Sequence, residues 1–514
     1  MNKRIAIIMA AISRVLLIGI PIIIQAALII IMVLKFSEYY IWFYAICAIL
    51  SLFVVFHIIN DESNPGYKIA WIVPILIFPI FGGLAYLVFG TNKSNKHIKN
   101  SVAKLNEICD KELVQDFSVK KEICEQDKSV ANQFKYINDY GHFPVYNNTS
   151  SKYFTVGEEK FEALKEELKK AKHYIFLEYF IIQEGVMWDA ILEILEEKAK
   201  EGVDIRLIYD DGGSLFTLPQ KYTKILAKKG IKALAFNPFK PFLSVIMNNR
   251  DHRKIVVIDG YVAFTGGINL SDEYINLVPR FGHWKDTAIM IKGEAVWSFT
   301  IMFLTLWNSQ WRTDEGYDQF KPHYYHREDF VGDGYVLPYA DSPLDMEAVG
   351  ETVYLNLITK AKDYIYINTP YLIIDNEMVT ALCNAAKSGV DVRINTPHIA
   401  DKKIVYEITK ANCKPLVEAG VKIYEYTPGF LHAKSFVVDD KLASIGTINL
   451  DYRSLYLHFE CAALLYNSKT VIDIRDDFKN TLKVSKLVTL KDLNEVSIKK
   501  KITRYLLKVF APLM

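Results

Sequence analysis

The sequence predicts an α/β protein of two pseudo-symmetric halves with mainly parallel sheets, preceded by N-terminal transmembrane helices. Three observations predict it. One short motif occurs twice in the 514 residues. The same order of strands and helices precedes each copy. The most apolar stretches crowd into the first ninety residues.

Residues 15–34, 40–59 and 69–89 are nearly unbroken apolar runs. Each approaches the ~20 residues that carry a helix across a ~30 Å hydrocarbon core. The first run is too long for a signal peptide, and no small-residue cleavage site follows it. Pro74 and Pro79, with Gly82 and Gly83, would kink or interrupt the third. Residues 1–91 are therefore expected to form a membrane region with two or three transmembrane helices. Trp71, Tyr86 and Phe89 fit interface anchors. Lys3, Arg4 and Arg14 precede the first run; Lys93, Lys96, Lys99 and Lys104 follow the third. Both flanks read as cytoplasmic by the positive-inside rule. The denser cluster, after the third run, places the rest of the chain in the cytoplasm. Cys47, Cys109, Cys124, Cys383, Cys413 and Cys461 form no CxxC or His-rich cluster, which agrees with a reducing compartment and indicates neither zinc nor disulfides.

Residues 92–148 read as a polar linker. Two halves follow, 149–330 and 331–490, which repeat one another. Ala171-Lys172-His173-Tyr174-Ile175-Phe176 matches Ala361-Lys362-Asp363-Tyr364-Ile365-Tyr366, and Gly202-Val203-Asp204-Ile205-Arg206 matches Gly389-Val390-Asp391-Val392-Arg393. Each half reads strand, helix, strand, helix, strand, then a hairpin. Such alternation implies a largely parallel sheet covered by helices. Two halves packed about a pseudo-two-fold axis would bring both hairpins into one cleft. Trp297, Phe303, Trp307 and Trp311, at near-helical spacing, read mostly as core. Residues 491–514 hold Lys499, Lys500, Lys501, Arg504 and Lys508 beside Ile502, Tyr505, Leu506, Val509 and Phe510. That spacing makes a basic amphipathic helix suited to an anionic membrane surface.

The repeated motif carries the chemistry. His252-Arg253-Lys254 with Asp259, and His432-Ala433-Lys434 with Asp439, both read H-x-K-x-x-x-x-D. Each runs on to a turn ending in Asn, Gly266-Gly267-Ile268-Asn269 and Gly446-Thr447-Ile448-Asn449. The intervening residues are β-branched or aromatic, so each motif should lie on a strand, with its His and Lys on one face. An imidazole beside an ammonium suits attack on a phosphodiester, the Lys neutralising oxygens while the His attacks phosphorus or moves a proton. Asp210-Asp211-Gly212-Gly213-Ser214 is a candidate phosphate or metal loop, with a strand-to-helix loop at the cleft rim the plainer reading. Thr369-Pro370-Tyr371 sits at the equivalent point of the second half. A net charge of +2, from 61 basic and 59 acidic residues, gives no nucleic-acid signature.

The doubled motif with its Asn turns resembles the phospholipase D superfamily, and within it the bacterial cardiolipin synthases. Arg250-Asp251-His252-Arg253-Lys254-Ile255-Val256-Val257-Ile258-Asp259-Gly260 is similar to their first motif; Phe430-Leu431-His432-Ala433-Lys434 and Asn449-Leu450-Asp451-Tyr452-Arg453-Ser454 are similar to their second. Trp71, Pro79, Gly82 and Tyr86-Leu87-Val88-Phe89-Gly90 resemble the last N-terminal membrane segment of that family. The first apolar run looks like an addition, and Thr447 stands where Ser is common.

The resemblance implies transfer of a phosphatidyl group from one phosphatidylglycerol to a second, through a phosphohistidine, giving cardiolipin and glycerol. It implies His252, Lys254, Asp259, His432, Lys434 and Asp439 as catalytic motif residues. His252 would be the nucleophile and His432 the acid, then the base. Asn269 and Asn449 would contact the phosphate. Asp286 and Glu460 would orient the histidines. Asp259 and Asp439 read better as braces of their turns. No metal or other cofactor is expected. The expected partners are phosphatidylglycerol and cardiolipin in an anionic membrane, with no nucleic acid and an oligomeric state left open. Rivals are a membrane-bound phospholipase D using water as acceptor, another phosphatidyltransferase or a nuclease of the superfamily, and a non-catalytic scaffold; a scaffold should have lost a His or Lys that this chain keeps.

Overall fold

A computed structural model describes residues 37–79, 96–238, 249–311, 315–345 and 347–513, with isolated positions between 23 and 31 and between 82 and 90. The chain divides into two compact units: Met1–Asn95 with Phe239–Asn249 and Tyr505–Met514, and Lys96–Pro238 with Arg250–Arg504. In the first unit the helix Ser37–Ile59 is apolar on all sides. Ile41, Trp42 and Phe53 are exposed on it. Its stretch Ile41–Ile59 is the one helix among the described residues long and apolar enough to cross a membrane. The helix Pro65–Ile77 has 13 residues, carries Pro74 inside and is capped by Asn64. Thirteen residues rise about 20 Å, short of a bilayer core. Two or three spanning helices were expected, and these residues give one. The run 15–34 lies almost wholly outside the described residues, as do most of 80–89, Lys3, Arg4 and Arg14, Lys93, and the side chains of Lys96 and Lys99.

The second unit opens with helices Lys96–Glu112, Phe117–Gln126 and Lys128–Gly141. Asp116 caps the second helix and Asp127 the third, each accepting backbone N–H groups that have no partner within the helix. Val119, Ile123, Val130, Phe134 and Ile137 follow helical spacing and join the main core. The stretch expected as a polar linker is therefore helical and packed. Its polar composition reflects the solvent side of amphipathic helices.

The first half carries β1 (Thr149–Phe154), β2 (Tyr174–Tyr179), β3 (Asp204–Asp210), β4 (Lys232–Phe236), β5 (Arg250–Asp251), β6 (Ile255–Ile258), β7 (Val262–Gly266), β8 (His283–Lys285) and β9 (Ala288–Gly293). The second carries β10 (Tyr335–Asp341), β11 (Tyr364–Asn368), β12 (Leu372–Ile373), β13 (Asp391–Pro397), β14 (Lys422–Tyr426), β15 (Gly429–Leu431), β16 (Ser435–Val438), β17 (Leu442–Gly446), β18 (Leu450–Asp451), β19 (His458–Tyr466) and β20 (Ser485–Leu487). The first sheet runs β1-β9-β7-β6-β2-β3-β4; the second runs β10-β19-β17-β16-β11-β13-β14-β20.

The expectation of mainly parallel sheets does not hold. Along these two paths only β2-β3-β4 and β11-β13-β14 are parallel and the other pairings are antiparallel; the short β5 adds one parallel pairing at the side of β19. Helical crossovers join the parallel strands, whereas β6 and β7, like β16 and β17, are joined by tight turns. A turn that short can only reverse the chain. The helix Val296–Trp311 is buried nearly all round and belongs to the core that both sheets share. Trp297, Phe303 and Trp307 are buried there, while Trp311 is exposed and stacks on Trp307.

Candidate active site

Two short parallel pairings between the halves build the site. β5 runs beside β19, pairing Arg250 with His458 and Asp251 with Phe459. β15 runs beside β8, pairing Phe430 with Trp284 and Leu431 with Lys285. The chain continues the ladder at each motif histidine: His252 N–H donates to Phe459 O at 2.9 Å, and His432 N–H to Lys285 O at 2.7 Å. Each histidine is thereby delivered to a carboxylate of the opposite half. His252 Nδ1 lies 2.9 and 3.0 Å from the two Glu460 oxygens, and His432 Nδ1 lies 2.6 Å from Asp286 Oδ2. Glu460 and Asp286 are fully buried. A carboxylate only accepts, so the Nδ1 that faces it carries the proton and Nε2 keeps its lone pair. At His432 the same Nδ1 also lies 2.8 Å from Lys434 Nζ, a contact that this tautomer leaves without a hydrogen bond.

Electrostatics keeps both rings neutral. Burial, with Lys254 nearby, pulls His252 down to about 3 against the pull of Glu460. Burial and then Lys434 pull His432 down to about 4. Burial would raise Glu460, but His252 beside it holds it well below the carboxylate range. The lysines are buried as well. Lys254 Nζ donates to His252 O at 2.5 Å, and Lys434 Nζ donates to His432 O. Burial lowers Lys254 to about 8 and Lys434 to about 7. Lys254 also lowers both His432 and Lys434, so the two motifs share one electrostatic site.

The Asn turns complete the frame unequally. Thr447 Oγ1 donates to Glu460 and accepts from Cys461 N. At the matching Gly267, an added Cβ would meet Asp286 Oδ1 at 2.1 Å, so no side chain fits. Asn269, expected at the phosphate, is already engaged: Ile181 N–H donates to its Oδ1, and its Nδ2 donates to Tyr274 Oη. Asn449 is buried with its Oδ1 unpartnered.

Asp259 and Asp439, expected among the catalytic motif residues, commit their carboxylates to backbone N–H groups. The four residues of β6 or β16 separate each from its lysine, about 16 Å along an extended chain. Asp259 accepts the backbone N–H groups of Lys172, His173 and Tyr174; Asp439 accepts those of Lys362, Asp363 and Tyr364. Each ties its hairpin turn to the start of the neighbouring strand. Both adopt φ of 50°, which the short Asp side chain tolerates.

Asp210 is structural in the same sense. It accepts from Gly213 N at 2.8 Å and Asp251 N at 3.0 Å, and so holds β5 in place. Thr369 Oγ1 donates to Tyr371 O and accepts from Leu450 N, bracing the second turn.

Four further residues line the site: Trp284, which lies in a segment that resembles the family's, and Phe180, Tyr274 and His458, which the sequence reading does not single out. Phe180 packs edge-on to His252 with ring centroids 5.0 Å apart. Tyr274 packs edge-on to His432 at 5.6 Å, and Trp284 lies 5.3 Å from that ring. His458 lies 5.5 Å from His252, its side chain 10% exposed and neither ring nitrogen hydrogen-bonded. The i, i+2 spacing of His458 and Glu460 on one strand was the available signal.

Two His–Lys segments, each completed by the other half's carboxylate, make the site of a phosphatidyltransferase-type enzyme of the phospholipase D superfamily. The family described as "Cardiolipin synthase, PLD-like domain" matches residues 164–296 and 354–482, and a "Phospholipase_D-nuclease N-terminal" family matches 49–90. The chain belongs to the bacterial cardiolipin synthase family. It is 36% identical over 444 residues to a cardiolipin synthase of Halalkalibacterium halodurans, covering 85% of this chain and 86% of that one. It is 38% identical to a cardiolipin synthase of Geobacillus thermodenitrificans over 84% of this chain and 86% of that one. An uncharacterized protein of Streptococcus mutans is 48% identical over 90% of this chain and 99% of its own length. A phosphatidylserine synthase structure from Haemophilus influenzae shares the fold, with a TM-score of 0.54 at 14% identity, over 74% of this chain and 98% of that one.

Proposed function

We propose that this cardiolipin synthase-family enzyme joins two phosphatidylglycerols in an anionic membrane. The observation that carries the mechanism is the crossed pairing of His252 with Glu460 and His432 with Asp286, which leaves two Nε2 lone pairs at one site. In the first step His252 Nε2 bonds to phosphorus, and the bond from phosphorus to the headgroup glycerol oxygen breaks. His432 protonates that oxygen, and glycerol leaves. In the second step His432 takes the proton from a headgroup hydroxyl of another phosphatidylglycerol. That oxygen bonds to phosphorus, the phosphorus–nitrogen bond breaks, and cardiolipin forms. Splitting one displacement into two in-line steps is the benefit of a covalent nucleophile.

His432 must carry a proton in the first step, yet burial holds it low in the free enzyme. An incoming phosphodiester anion raises it, because a neighbouring negative charge favours imidazolium. The same anion favours the charged forms of Lys254 and Lys434, which neutralise the non-bridging oxygens. Glu460 and Asp286 orient the rings. Asn449, with an unpartnered oxygen, is the better placed of the two turn asparagines to meet substrate. The spanning helix Ile41–Ile59 supports membrane attachment; a multi-pass arrangement with the catalytic halves in the cytoplasm rests on the lysine cluster after residue 92.

The test is a purified-enzyme assay on phosphatidylglycerol alone. Cardiolipin and glycerol in equal amounts are expected. Phosphatidic acid as the main product would replace this reading by hydrolysis.

A further inference from the structure

We propose that His252, His458 and Glu460 form a binding site for a divalent transition-metal ion of the zinc class. One donor atom from each residue lies within 4.8 Å of the others. His458 and Glu460 project from one face of β19, and β5 brings His252 against them by pairing Arg250 with His458. Glu460 is fully buried, and the His252 and His458 side chains are 9% and 10% exposed. Neither nitrogen of His458 has a hydrogen-bond partner, and Glu460 Oε1 lies 3.8 Å from its Nδ1. A nearly buried imidazole aimed at a carboxylate and a second imidazole lacks only the ligand that would satisfy it.

The internal repeat supplies a control. Glu460 corresponds to Asp286, since Ala462 pairs with Gly446 as Ala288 pairs with Gly266. By the same count His458 corresponds to Trp284, and the two pair with the equivalent residues Arg250 and Phe430. Trp284 lies against His432 at 5.3 Å, as His458 lies against His252 at 5.5 Å. An aromatic wall beside the motif histidine therefore does not require imidazole. Only the His252 side adds a third donor, and the set of two nitrogens and one oxygen exists on that side alone.

Two imidazoles and a carboxylate suit Zn²⁺ and its neighbours rather than Mg²⁺ or Ca²⁺, which prefer all-oxygen shells. Three protein ligands leave a coordination position for water or a phosphate oxygen. With His252 bound through Nδ1, the ion takes the place of the proton shared with Glu460, and that proton is released. The Nε2 lone pair remains, but the ion's charge on the same ring makes it a poorer nucleophile toward phosphorus than it is with Glu460 accepting from Nδ1. This inhibitory consequence rests on the proposed role of His252; the binding itself does not.

The experiment uses the full-length protein in detergent, treated with EDTA and dialysed. Co²⁺ is added and its visible d–d bands recorded, then Zn²⁺ is titrated into the same sample and into the phosphatidylglycerol assay. The wild type should show cobalt bands at one ion per chain, displaced by Zn²⁺ and not by Mg²⁺. His458→Asn and His458→Gln should each weaken binding about tenfold or more, the scale known for outer-shell changes at metal sites, which loss of a ligand should at least match. Zn²⁺ should inhibit the wild type reversibly, with the half-inhibiting concentration raised to the same extent in both variants relative to their own metal-free rates. Absence of cobalt bands in the wild type, or bands unchanged in both variants, overturns the site. Bands lost in the variants while Zn²⁺ leaves wild-type turnover untouched would uphold the site and count against His252 as nucleophile.

Discussion

At the scale of single residues, the two histidines form a unit because each completes a different half of one proton circuit. Changing His432 to Ala should cost about 10²–10⁴-fold in kcat, the usual worth of a positioned acid–base. Changing His252 to Ala should cost at least as much, and the double variant little more, since groups acting together are not additive. Rapid quenching with labelled phosphatidylglycerol should mark His252. Label on His432 alone would reverse the roles, and full activity in His432→Ala would remove the shared site. The lysines give a pH signature. Lys434 at about 7 and Lys254 at about 8 are charged below those values and neutral above them. The free enzyme therefore loses its phosphate-binding cations as pH climbs, and kcat/KM should fall through that window. Lys434→Arg keeps its charge at any accessible pH; its alkaline limb should move upward even if the plateau drops. A wild-type profile flat to about pH 9 would count against lysine cations as the phosphate binders.

Elements decide what single residues can do. Asp259 accepts three backbone N–H groups at its hairpin, so Asp259→Ala should lower stability by about 2–4 kcal/mol, given three lost hydrogen bonds to a charged acceptor. Chemical denaturation should register that loss, while kcat per folded molecule stays near wild type. A comparable loss of kcat without a change in midpoint would return Asp259 to the reaction. The C-terminal helix Ile498–Phe510 makes a different case. Ile498, Ile502, Tyr505 and Leu506 are exposed on it, while Arg504 and Lys500 pair with Glu407. An apolar face left open, with Lys499, Lys501 and Lys508 on the same short helix, suits the headgroup region of an anionic bilayer. Deleting residues 499–514 should reduce turnover on phosphatidylglycerol vesicles and spare it in detergent micelles. Equal activity in both settings, with the deletion protein still folded, would leave the helix no surface-docking role.

For the whole molecule, the reaction is assigned to side chains with no resident ion. Turnover should therefore survive EDTA. Complete loss, restored by one particular cation, would make the His252–His458–Glu460 cluster a cofactor site instead of an inhibitory one. The polar stretch before the first half shows why composition misleads at this scale. Its helices bury Val119, Ile123, Phe134 and Ile137 in the core around the second sheet. A segment can be polar on average and still pack one face.

The sequence by itself determined the repeat, the strands β6 and β16 that follow each His and Lys, and the parallel strand–helix–strand part of each half. All of these follow from local periodicity, which neighbouring residues carry. His252–Lys254 and His432–Lys434, expected on a strand, lie instead in the links between two strands. Glu460 and Asp286 were legible as candidates, but not which histidine each would serve. The tertiary structure decided that by crossing the halves, because β5 and β15 find their partners on strands about 150 to 200 residues away. It also decided the direction of the hairpin strands, the engagement of Asn269 by Tyr274, and the meeting of His252 with His458. Separation of that length leaves no trace in spacing. Only the pairing of backbones from opposite halves sets which side chains share a buried, weakly screened site, and burial in turn shifts their protons.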